Sequence, residues 1–163
     1  MSRYTSLLLF LVIYFSAINA LKPIGPLPVK PSSISEASES TYIFTFESES
    51  ELSREPSFTI SFPSQFQASD QNDVAVFIAK EQEEWQKTNW IQLSTNPYTF
   101  KIPMTIIHQS QYKIAFSEIM NPLDLNSTAN FRIQILSGET VIEESNDFEG
   151  IPLAVRPSSK SKF

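Results

Sequence analysis

Residues 111–145, QYKIAFSEIMNPLDLNSTANFRIQILSGETVIEES, decide the fold class. Tyr112, Ile114 and Phe116 recur at every second position. A polar stretch holding Asn121-Pro122 and Asn126-Ser127-Thr128 follows, and then Phe131, Ile133 and Ile135 alternate with Arg132 and Gln134. Successive side chains of a strand leave opposite faces, so this period of two marks half-buried strands. Ser137-Gly138 separates the second run from Val141-Ile142, and a Ser-Gly pair in that place predicts a hairpin. The stretch reads as strand, loop, strand, turn, strand. It contains no catalytic grouping.

The same alternation extends toward the N-terminus. Tyr42/Phe44/Phe46, Phe58/Ile60/Phe62, Val74/Val76/Ile78 and Tyr98/Phe100/Ile102 each line one face of a predicted strand. Val74 to Ala79 is apolar on both faces, and Val141-Ile142 is too short to assign. Pro56 and Pro97 precede runs while Pro63, Pro103 and Pro122 follow them, where a missing N–H breaks no ladder bond. In residues 79–93, AKEQEEWQKTNWIQL, Trp85 is nearly alone among apolar residues in the first half, so a core-facing helix is not supported. A loop leading to a short strand at Trp90–Leu93 is the expectation. Together these runs predict one all-β domain over residues 41–155, an immunoglobulin-like antiparallel β-sandwich of about seven to eight strands.

The first twenty residues stand apart. Arg3 precedes an apolar core, Leu7 to Phe15, and Ile18-Asn19-Ala20 offers a signal-peptidase site after Ala20. A membrane anchor is the competing reading, but the run falls short of the roughly 20 residues needed to span a bilayer. Residues 1–20 are therefore expected to be a signal peptide, and the chain to be secreted or to enter the secretory lumen. Residues 21–40 carry Pro23, Pro26, Pro28 and Pro31 and then a Ser/Glu-rich run. They read as an extended leader. Residues 156–163 form a polar tail with no lipid-anchor signal.

Of 163 residues, 143 remain once the signal is removed, the size of one domain. Arg3 leaves and no acid does, so the net charge moves from −6 to −7. That balance excludes nucleic acid and anionic membranes as expected partners, since both ask for clustered Lys and Arg. There is no cysteine, hence no disulfide, thiolate nucleophile or zinc-thiolate site. Thirteen Phe, five Tyr and two Trp must supply the core that disulfides often reinforce in small secreted domains.

Groupings that resemble chemistry each have a plainer explanation. His108 is the single histidine, no GxSxG-type turn surrounds any serine, and a structural role is the expectation. Acids cluster at Glu47/Glu49/Glu51, at Glu81/Glu83/Glu84 and at Glu143/Glu144/Asp147/Glu149, and Asp70-Gln71-Asn72-Asp73 gathers oxygen ligands. Calcium takes six to eight oxygens, and the twelve-residue loop with its central Gly is missing, so these read as solvated loop faces. Trp85, Trp90 and Tyr98 offer a platform for a sugar ring. Packing competes, most strongly for Trp90, which is flanked by Ile91 and Leu93. Asn126-Ser127-Thr128 is an acceptor sequon in a polar loop, and Asn126 is the expected glycan site.

Phe58–Pro63, Ile119-Met120-Asn121-Pro122, Thr128, Phe131–Ile135 and Val141-Ile142 together resemble the repeated β-sandwich units of large secreted and surface proteins of ciliates. The resemblance spans about half of the mature chain and rests on structural motifs. The chain departs from it in having one unit and no cysteine-rich neighbours. The resemblance implies an extracellular, non-enzymatic module and carries no functional residues with it. The expected function is a secreted interaction, adhesion or surface/matrix module without a cofactor. The alternative is a carbohydrate or calcium binder using Trp85/Trp90 or the acidic loops. The expected partner is an extracellular protein or glycan, with strand edges open to self-association.

Overall fold

A computed structural model of the chain describes residues 18–25, 28–35, 38–68, 74–122 and 130–149. They form thirteen strands in two sheets: β1 (Asn19–Ala20), β2 (Lys22–Pro23), β3 (Val29–Pro31), β4 (Glu39–Ser48), β5 (Pro56–Ser61), β6 (Gln67–Ala68), β7 (Val76–Lys80), β8 (Gln86–Thr88), β9 (Ile91–Thr95), β10 (Tyr98–Pro103), β11 (Ser110–Met120), β12 (Phe131–Ser137) and β13 (Thr140–Phe148). Eight of these are five residues or longer, matching the expected count, and the other five are short edge pieces.

One sheet runs β1-β13-β12-β5-β10-β9 and the other β2-β4-β11-β7-β8, with β3 also on β4 and β6 on β11. Every pairing is antiparallel except β1 with β13. The neighbours β5-β10-β9 in one layer and β11-β7-β8 in the other correspond to B-E-D and F-C-C′ of an immunoglobulin-like sandwich. The departure is at the ends of the chain. β12 joins β5 and β4 joins β11, so β4 and β12 have exchanged layers relative to that plan.

The alternating residues meet between the layers. Phe44, Phe46, Phe58, Ile60, Ile102, Ile114, Phe116, Phe131, Ile133 and Ile135 are all buried. Phe62, just beyond β5, is the hub of the aromatic cluster, with edge contacts at ring centroids of 5.3–5.8 Å to Tyr42, Phe44, Phe66, Phe100, Phe116 and Phe131. Edge-to-face pairs at such spacing suit the ring quadrupoles. This Phe-rich centre takes the place of an inter-sheet disulfide.

Two segments differ from the sequence expectation. The described residues of the 21–40 segment lie on the sandwich. Leu21 and Val29 are buried, β2 and β3 pair with β4, and Ser33 and Ser35 carbonyls accept hydrogen bonds from Asn121 Nδ2 at 3.0 and 2.8 Å. The second difference is β13, a nine-residue strand that runs well beyond Val141-Ile142, the apolar pair too short to assign from sequence. Its buried residues are Glu143, Ser145 and Phe148, and the two polar ones conceal the alternation from a hydrophobicity pattern. Gly138 behaves as expected, with φ of 61° in the turn between β12 and β13. Its N–H donates to Glu55 O at 3.0 Å, which ties that turn to the loop before β5.

Candidate interaction edge

The two sheets share a lateral border at β8 and β9, and the chain between them shapes it. Beyond β7, Glu81 turns the backbone with φ of 54°, and its N–H donates to Gln111 O at 2.8 Å. β8 then returns along β7, with Val76 opposite Thr88 and Ile78 opposite Gln86. Asn89 and Trp90 carry the chain from one layer to the other. Trp90 anchors that crossing: its ring meets Phe100 edge-on at 5.2 Å, and Nε1–H donates to Val74 O at 3.1 Å. β9 follows and pairs with β10 on one side only.

This border exposes apolar side chains. Ile91 is 52% exposed, Leu93 54% and Trp85 44%. Six large hydrophobic residues are exposed among the described residues, and three of them fall within these nine positions. An unpaired strand presents backbone N–H and C=O groups to any extended chain, and proteins usually blunt such edges with charge, proline or brevity. The other borders follow that practice. β1 and β2 have two residues each, β2 and β3 end in Pro23 and Pro31, and β8 has three residues including Lys87. β9, Ile-Gln-Leu-Ser-Thr, has five residues, no charge and no proline. One irregularity interrupts it: the register shifts against β10 so that Leu93 is the extra residue of a bulge.

The sequence-predicted candidates are scattered. Trp85 and Trp90 lie on the same border, but Trp90 is packed against Phe100 and half-buried, which leaves Trp85 as the exposed ring of the pair. Tyr98 stacks on Phe100 at 6.1 Å. His108 stands at one end of the sandwich, its Nδ1 3.9 Å from Glu51 Oε1 and its backbone N–H donating to Tyr112 Oη at 2.8 Å. It lines a shallow hollow of about 130 Å³ with Ile78, Lys80, Glu83, Met104, Ile106 and Tyr112. A second hollow, about 520 Å³, lies at the turn between β12 and β13, lined by Arg54, Glu55, Ser137, Gly138, Glu139, Thr140 and Ile142. Trp85 lines neither.

The acidic clusters are not all loops. Glu47 belongs to β4, and Glu143, Glu144 and Asp147 belong to β13, with Glu143 fully buried. Its carboxylate accepts from Ser48 Oγ at 3.1 Å and from the Glu49 N–H at 3.1 Å, a cross-layer tie that sequence reading took for a solvated face. Glu144 is held below the usual carboxylate range, chiefly by the hydrogen bond from Arg132 Nε at 2.7 Å. No group of three or more His, Cys, Asp or Glu side chains stands close enough to hold a metal among the described residues. Asn126, Asp70, Asn72 and Asp73 lie outside the described residues. Sequence reasoning also missed β9 itself as an edge, because neighbours in a sheet are a property of topology.

No family model matches the chain, and no curated protein matches it. Among solved structures it is similar to the bacterial hydrophobin BslA, at 16% identity over 78% of this chain and 94% of that one, with a TM-score of 0.45. It is also similar to the pilus 2b backbone protein of group B streptococcus, at 14% identity over 79% of this chain and 56% of that one, with a TM-score of 0.47. A third is the CBM3a-L domain of the scaffoldin cipA of the Clostridium thermocellum cellulosome, at 10% identity over 86% of this chain and 94% of that one, with a TM-score of 0.35.

Proposed function

We propose that the chain is a secreted, non-enzymatic β-sandwich module that contributes to extracellular structure by pairing with a second copy along β9. The single observation that carries this reading is the contrast among edges: among the described residues β9 alone combines five residues, no charge and no proline with exposed Ile91 and Leu93. A second copy is the occupant because the strand is compatible with itself. An antiparallel pair with its two-fold axis at Leu93 sets Leu93 against Leu93, Ile91 against Thr95 and Gln92 against Ser94. No like charges meet there, although the chain as a whole carries −6 and repels its own copies elsewhere. The bulge at Leu93 shortens the regular ladder, so the association is weak and concentration-dependent. In this reading Asn126 carries a glycan.

Sedimentation equilibrium over a concentration series tests it. The chain beginning at Leu21 should approach a dimer as concentration rises. Leu93→Lys should hold it monomeric, because two ammonium groups then face each other across the axis. A chain that remains monomeric throughout, or a Leu93→Lys variant that dimerises equally well, contradicts the proposal. The carbohydrate alternative rests on Trp85 alone, since Trp90 is engaged by Phe100 and Val74. A glycan array on Trp85→Ala beside the parent distinguishes it.

A further inference from the structure

We propose that cleavage after Ala20 is a structural step: it creates an α-ammonium at Leu21 that pairs with the buried carboxylate of Glu143 and closes one side of the sandwich. This rests on the reading of residues 1–20 as a removable signal. Leu21 is where the chain passes from one layer to the other. Its side chain is 2% exposed, and its N–H donates to Glu144 O on β13 at 3.1 Å. The next residues, Lys22 and Pro23, pair with Glu47 and Phe46 on β4.

Glu143 crosses between the same two strands. It belongs to β13, is fully buried, and reaches Ser48 Oγ and the Glu49 N–H at the end of β4. Among the described residues no Lys, Arg or His forms an ion pair with it. Burying a carboxylate is costly unless a charge partner and hydrogen bonds offset the lost hydration. Glu143 has the hydrogen bonds and lacks the cation. In the uncleaved chain its register partner across β13 is Asn19, a neutral residue.

Hydrolysis of the Ala20–Leu21 amide by the secretory pathway's signal peptidase changes that. Water gives its hydroxyl to Ala20 and a proton to the Leu21 nitrogen, which takes a second proton from solvent. β1 leaves with Asn19 and Ala20, vacating the space beside Glu143 and Glu144. The new ammonium has three donors. One keeps the Glu144 carbonyl, and the others are available to the neighbouring Glu143 carboxylate. The other charged groups at this corner are Glu144 on β13, held by Arg132, together with Glu47 and Glu49 of the β4 end and Lys22, which pairs with Glu49. Acids outnumber bases there, so the surrounding field also favours a protonated amine.

The test uses the chain released from a fusion so that Leu21 is its first residue, which makes it independent of whether the signal is cleaved in a cell. Three N-termini are compared: free Leu21, N-acetyl-Leu21, and Leu21 preceded by one alanine. Each is made with Glu143 and with Glu143→Gln. The free amine should melt about 2–4 °C above the acetylated chain when Glu143 is present, and the difference should vanish with Glu143→Gln. An equal difference in both backgrounds, or none in either, overturns the proposal. If Glu143→Gln does not fold, titration of the Leu21 α-amine by NMR decides. A value above the ordinary 7.7–8.0 supports the pair, and a value at or below it refutes it. Intact mass after secretory expression separately tests the signal reading: a mature chain starting elsewhere than Leu21 overturns that premise and leaves the released-chain result standing.

Discussion

Tyr42 Oη donates a hydrogen bond of 2.5 Å to Asn121 Oδ1, joining residues 79 positions apart in the chain. Both are buried, and Asn121 spends its remaining capacity on the segment before β4. Nδ2 donates to Ser33 O and Ser35 O, and the backbone N–H to Ser38 O at 2.9 Å. One amide side chain thus satisfies a core phenol and holds a Ser-rich strap against the end of the sandwich. Asn121→Ala should destabilise the fold by about 1–3 kcal/mol in urea, because it leaves the buried phenol without its acceptor and takes one of two donors from each of the Ser33 and Ser35 carbonyls, which keep Ser40 Oγ and Ser38 Oγ. Tyr42→Phe should cost less than the sum when combined with it, and a strictly additive cycle contradicts the shared role.

The same phenol sets an alkaline limit. Burial raises the Tyr42 pKa well above its ordinary value, and burial also raises that of Tyr112. The folded chain therefore keeps protons that the unfolded chain releases near pH 10. Their contribution is fully present below that pH and is lost as pH rises through the folded values. Melting temperature should fall progressively above about pH 10, and ultraviolet titration should show two tyrosines ionising late. Tyrosines that all titrate together near pH 10 would exclude this.

Phe62 touches six aromatic rings, so truncating it opens a cavity that its neighbours cannot all collapse into. Phe62→Ala should cost about 3–5 kcal/mol by denaturant unfolding, and Phe62→Leu markedly less. Comparable losses for the two would place the stabilisation elsewhere.

The two tryptophans should separate cleanly by fluorescence. Trp85 is exposed and Trp90 is packed on Phe100 with its N–H bonded, so Trp85→Phe should blue-shift the emission maximum. Trp90→Ala should destabilise by about 3 kcal/mol, whereas Trp85→Ala should remain within about 0.5 kcal/mol of the parent. Equal stability losses contradict this assignment.

Glu144 bears on the acid side. Arg132 lowers its pKa, so its contribution is present above about pH 4.5 and is lost as pH falls through the lower folded value. The Arg132 side chain is half exposed, which limits the effect to less than about 1 kcal/mol. Arg132→Gln should therefore lower the melting temperature slightly at pH 7, and the loss should shrink as pH falls below about 4.5. A loss that does not shrink with acidification assigns Arg132 a packing role instead.

The long strands were legible because their inward residues are Phe, Ile, Tyr and Val at a period of two, a signal local to each strand. Gly138 was legible for the same reason, since a turn needs only its own residues. Where inward residues are polar the signal fails. Glu143 and Ser145 are the buried polar residues of β13, and the Glu143 carboxylate is met by Ser48 and Glu49, nearly a hundred positions earlier in the chain. The segment 21–40 has prolines and serines without alternation, so its pairing was not legible either; Asn121 holds Ser33 and Ser35, and β4 pairs with Val29–Pro31.

By itself, then, the sequence determined that this is an all-β sandwich with an aromatic, cysteine-free core and a removable hydrophobic N-terminus as the expectation. Those follow from residue type and local period. Tertiary structure decided which strands neighbour one another. It left β9 as the unguarded edge, placed Trp90 in the packing and Trp85 in solvent, and bonded the Leu21 N–H to the Glu144 carbonyl on β13. Each of those depends on pairing between distant segments, where burial and unpaired backbone groups are properties of the assembled sheets and of no single stretch of chain.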